Sequence, residues 1–105
     1  MIEIKDPISL IGMFQPVETR DNWSLYLIDG PVKYWIDQGG PAVSDHAMKI
    51  EILRDGAWIE IPERFWSYSD LNWLASEYIR LISGDTCSAP IPEDLVYAIE
   101  EGSDR

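Results

Sequence analysis

Met48-Lys49-Ile50-Glu51-Ile52-Leu53-Arg54-Asp55-Gly56-Ala57-Trp58-Ile59-Glu60-Ile61-Pro62 is the stretch that decides the fold. Two runs of alternating apolar and polar residues flank Asp55-Gly56, the dipeptide favoured by the type I′ turns that join antiparallel strands. A two-residue turn there sets Ile52 opposite Ile59 and Ile50 opposite Ile61 on one face. Leu53 then faces Trp58, and Glu51 faces Glu60, on the other. A slip of one residue would move every side chain to the opposite face, so the isoleucine face specifies the register.

Upstream, residues 23–36 predict another hairpin. Trp23-Ser24-Leu25-Tyr26-Leu27-Ile28 leads into Asp29-Gly30 and then Val32-Lys33-Tyr34-Trp35-Ile36. A turn centred on Asp29-Gly30 pairs Leu27 with Val32, Leu25 with Tyr34 and Trp23 with Ile36 on one face. Ser24, Tyr26, Lys33 and Trp35 fall on the other. Pro31 cannot donate to a ladder and so predicts an edge or an irregularity beside the turn. Residues 37–46, with Gly39, Gly40 and Pro41, read as a loop.

Downstream, residues 67–84 predict the longest helix. Ser67 or Ser69 caps it, Leu71, Leu74, Ala75, Tyr78 and Ile82 share a stripe, and Gly84 stops it. Trp73 falls off that stripe. Shorter helices are expected at 7–14, behind Asp6-Pro7, and after Pro92. In the latter, Glu93 and Asp94 suit the positive end of the dipole, Leu95, Val96 and Ile99 offer a packing face, and Gly102 ends the run. Ile2-Glu3-Ile4-Lys5 alternates as a short strand would. The expected fold is α+β: an antiparallel sheet of four to five strands built from two β-hairpins, packed against one long helix, with short N- and C-terminal helices. A single domain over residues 1–105 is expected. Strand order does not follow from the pattern.

Composition narrows the function. Of 105 residues, 46% are hydrophobic and 26% charged, the balance of a folded chain. Nineteen acidic residues against eight basic ones give a net charge of −11. Direct binding to nucleic acid or to an anionic membrane needs positive potential, so neither is expected. No cationic segment followed by an apolar run opens the sequence, and the apolar runs fall far short of a bilayer span, so cytoplasmic residence is expected. One cysteine excludes an internal disulfide, and one cysteine with one histidine argues against structural zinc.

Catalytic chemistry is hard to assemble from these residues. His46, beside Asp45, is the lone imidazole base and reads as an exposed loop histidine. Cys87, in Asp85-Thr86-Cys87-Ser88, has acidic neighbours that disfavour the thiolate. The aspartates lack calcium-loop spacing, and the glycines form neither dinucleotide nor P-loop patterns. No enzyme activity, cofactor or metal is therefore expected.

Binding remains. Glu51, Leu53, Trp58 and Glu60 share one hairpin face and are the expected partner-binding residues, an aromatic anchor set among carboxylates. Twelve aromatic residues, with Phe65-Trp66-Ser67-Tyr68 and Trp73 crowded before the long helix, read chiefly as core. A charge of −11 on so small a surface repels itself, yet it speeds capture of a cationic protein. The expected function is a small acidic, non-catalytic inhibitor that binds and blocks a basic partner protein. Its most concrete form is an immunity protein neutralising a bacterial toxin such as a nuclease. The alternatives are a phage-encoded anti-defence inhibitor that mimics nucleic acid, in the manner of an anti-CRISPR, and a protein-binding adaptor module. Oligomeric state is not legible.

Overall fold

Turn chemistry and alternation produce an α+β fold in the computed structural model, which describes residues 5–37, 39–85 and 90–103. The alternating residues 2–4 and Cys87 lie outside the described residues. The strands are β1 (Glu18–Arg20), β2 (Trp23–Asp29), β3 (Val32–Asp37), β4 (Ala47–Arg54), β5 (Ala57–Glu60) and β6 (Arg64–Phe65). They form one antiparallel sheet in the order β1-β2-β3-β4-β5, and β6 pairs with the opening of β4. β6 thus continues the β5 edge beyond Pro62, whose missing N–H suits the interruption. Two strands exceed the two hairpins expected from sequence. Both are too short, at three and two residues, to show a period.

The β4–β5 hairpin has the expected register: Glu51 opposite Glu60, Ile52 opposite Ile59, and Leu53 opposite Trp58. Asp55 and Gly56 both take positive φ, 51° and 81°, as a type I′ turn requires. The β2–β3 hairpin departs from expectation. Its turn is Gly30-Pro31, closed by Asp29 opposite Val32, with Gly30 at φ 58°. Pro31 sits inside the turn, where its fixed negative φ is useful and no ladder donor is lost; its carbonyl accepts from the Leu53 N–H at 2.8 Å. A bulge between Leu25 and Leu27 then shifts the register, so that Leu25 pairs with Trp35 and Ser24 with Ile36. Leu27, Val32, Tyr34 and Ile36 stay on the core face, whereas Trp23 and Leu25 cross to the outer one.

Among the described residues, three helices cover the core face. They are α1 (Pro7–Ile11), α2 (Tyr68–Ser83) and α3 (Glu93–Ser103). Asp6 caps α1 by accepting from the Ser9 N–H, and the helix ends at Gly12, earlier than the 7–14 expected. Ser67 and Asp70 form a capping box at the start of α2, and Gly84 closes it in the left-handed region. Leu71, Leu74 and Ala75 are buried as expected. Ile82, expected in the stripe, is 68% exposed, because the packing of α2 on the core ends at Ile79 and residues 81–83 all face solvent. Trp73, expected off the stripe, is buried edge-on against Tyr34, with ring centroids 5.1 Å apart. A helix buried between a sheet and two neighbouring helices needs a wider apolar arc than a single stripe. Tyr78 stacks on Phe14 at 3.9 Å, tying α2 to the segment after α1. Between β3 and β4, the expected loop contains a 3₁₀ turn, Val43–Asp45.

Candidate functional site

Alternation sends Trp35, Lys33, Lys49, Glu51, Trp58 and Glu60 to the face of the sheet opposite the helices. The bulge adds Trp23 and Leu25, and β1 adds Glu18 and Arg20. Each tryptophan of this outer face lies under a cation. Arg20 sits 4.6 Å above Trp35, Lys33 4.3 Å above Trp58, and Lys49 4.8 Å above Trp23. The carboxylates complete the lattice. Glu51 accepts from Trp35 Nε1 at 2.7 Å and lies 3.5 Å from Arg20, which also meets Glu18 at 3.0 Å. Lys49 reaches Glu60 at 3.7 Å.

The four residues expected to bind a partner divide into two groups. Leu53 and Glu60 are exposed and Trp58 is half-buried beneath Lys33, so these three share an open patch near the hairpin turn. Glu51 is 6% exposed, and its carboxylate is engaged within the fold. The like charges of Glu51 and Glu60 therefore do not face each other bare; Arg20 and Lys49 neutralise them, which removes the penalty that direct opposition would carry. Arg20 comes from β1, and nothing in the hairpin sequence announces it.

A second surface was not singled out in the sequence. α3 buries Leu95 and packs Ala98 and Ile99 against the core, which turns Tyr97 outward at 65% exposure. Around Tyr97 the helix period places Glu93, Asp94, Glu100 and Glu101 at −4, −3, +3 and +4, its four nearest positions along the helix surface. That ring of carboxylates was legible as a pattern. Phe65 of β6, also 65% exposed, lies opposite Ala47 and one residue out of phase with Arg64, so it faces away from the helices.

At the start of α3, Arg64 donates to the Asp94 carbonyl oxygen at 3.0 Å and to its carboxylate at 3.1 Å. Asp70, fully buried, caps α2 by accepting from the Ser67 N–H at 3.2 Å. Burial, then the neighbouring Asp94 carboxyl, push Asp70 up to about 6.

His46, where β4 begins, is half-buried rather than exposed, and its carbonyl accepts from the Trp66 N–H at 3.0 Å. It lines a cavity of about 220 Å³ with Ile8, Ile11, Tyr26 and Asp37. Asp37 Oδ1 accepts from the Ala47 N–H there at 2.7 Å. The described lining holds no serine, threonine or cysteine for an imidazole to activate. Among the described residues, no group of three or more His, Cys, Asp or Glu side chains is arranged to hold a metal. No helix among them is long and apolar enough to cross a membrane.

No protein-family model, curated protein or solved structure matches the chain. The surfaces described above carry the functional argument by their own chemistry.

Proposed function

We propose that the protein acts by occupation, as a small acidic inhibitor that docks on a basic partner protein and blocks its working surface. The supporting observation is how the charges are disposed. Among the described residues, Arg20, Lys49, Arg64 and Arg80 are ion-paired to carboxylates of the same chain. Exposed Asp21, Asp29, Asp55, Glu63, Glu93, Glu100 and Glu101 face solvent at the strand turns and along α3. Internal pairing thus leaves the negative excess on the outside, beside the exposed rings of Tyr68 and Tyr97. Steering charge next to aromatic anchors is the combination that fast and tight protein capture uses.

In its most concrete form this is an immunity protein against a bacterial toxin, a nuclease by preference, since a nuclease cleft is built to hold phosphates. A phage-encoded inhibitor of a nucleic-acid-guided defence complex would use the same chemistry. The reading involves no turnover and no cofactor, and it assigns the action to the cytoplasm. Leu53, Trp58 and Glu60 are proposed as one part of the contact surface, with Glu51 holding the sheet beneath them.

The test is kinetic. A partner recovered from the source cell and purified should be basic. Its association rate should fall at least about tenfold between roughly 20 and 200 mM salt. A neutral or acidic partner, or an association rate indifferent to salt, overturns the reading.

A further inference from the structure

We propose that the groove between the Pro62–Arg64 corner and α3 is a seat for an arginine side chain of the basic partner; this rests on the reading by occupation and names the chemistry of its contact. The groove encloses about 330 Å³, and its walls include Pro62, Glu63, Tyr97, Ala98 and Glu101. Tyr97 and Glu101 stand one helical turn apart on the same face, and Glu63 faces them from the strand side. Arg64 also lines the groove, but its guanidinium is held by Asp94, so it contributes mainly its aliphatic stem. A flat ring, two carboxylates and apolar walls suit a guanidinium better than an ammonium. Arginine stacks on an aromatic face while its in-plane N–H groups reach two acceptors.

The helix itself supplies an independent argument. The last turn of α3 carries Glu100 and Glu101 and no basic residue. Carboxylates at that end oppose the helix dipole and destabilise the helix. Glu101 therefore works against its own helix, as expected of a residue kept for an external cation.

The experiment is an amide-resolved NMR titration of the full chain. The probes are a short acetylated peptide with three arginines and its lysine counterpart, at about 20 and about 150 mM salt. The expected result is shifts concentrated at residues 61–64 and 97–101, with the arginine peptide bound about three- to fivefold more tightly than the lysine one. Glu63→Gln and Glu101→Gln should each weaken binding about three- to tenfold. Glu101→Gln should leave the melting temperature unchanged or raised, as the dipole argument requires. Shifts centred on residues 53–60, or equal affinity for the two peptides, overturn the arginine seat and leave the reading by occupation standing. If neither peptide binds anywhere at about 20 mM salt, both fall.

Discussion

Asp70 shows how one buried carboxyl sets a pH dependence. Its folded value, about 6, lies above the ordinary 3.8 because burial and Asp94 disfavour the second charge. Between those two values the folded chain binds more protons than the unfolded one, so this group's contribution to stability falls as pH rises through the window. Asp70→Asn keeps an oxygen for the Ser67 N–H and removes the charge. We expect the variant to be more stable than the parent by about 1–2 kcal/mol at pH 8, with the gain gone below about pH 4. Urea unfolding at several pH values checks it; a gain that grows on acidification would refute the assignment. At this scale the sequence reveals pairing better than burial. The opposition of Glu51 and Glu60 followed from turn length alone. The burial of Glu51 did not, because it depends on Trp35 and on Arg20 from another strand.

Elements were legible where several local signals agree. The β4–β5 hairpin combined alternation over residues 48–52 and 59–61 with a turn dipeptide whose two residues both take positive φ, and its register follows from them. α2 combined an apolar stripe, a capping serine and a terminal glycine, to which the structure adds Asp70 as the second half of a capping box. The β2–β3 hairpin set two signals in conflict. Asp29-Gly30 favoured one turn, while Pro31 favoured being inside the turn rather than in the ladder, and the backbone took the second. The bulge that follows cannot be seen in a period-two pattern, since it is a break in that pattern. Cap energetics give a direct test of α2. Ser67→Ala removes the acceptor for the Asp70 N–H at 3.1 Å and should cost about 1 kcal/mol in chemical denaturation. No loss would mean that Asp70 alone secures the helix start.

For the whole molecule, the α+β class and the covered apolar face followed from pattern, but strand order did not. The observed order is a meander, each of β1 to β5 beside its predecessor in the chain. Net charge was legible from composition, whereas its distribution required the fold to place each cation. A charge of −11 on 105 residues should make the domain salt-sensitive in an unusual direction. Screening weakens the exposed ion pairs, but these contribute little individually, and it relieves repulsion among many more carboxylates. The melting temperature should therefore rise by about 4–8 °C, equivalent to about 1 kcal/mol, between roughly 10 and 150 mM sodium chloride. A fall would show that the ion pairs outweigh the repulsion.

The cations lying over Trp23, Trp35 and Trp58 have one further effect, which is optical. A ligand settling on the outer face must disturb charges stacked directly on indoles, so its arrival changes the emission of the protein. None of the described residues lining the groove beside Tyr97 is a tryptophan. Occupation there perturbs a tyrosine and leaves the indole emission as it was. Tryptophan fluorescence, excited selectively, can therefore distinguish the two surfaces without a label.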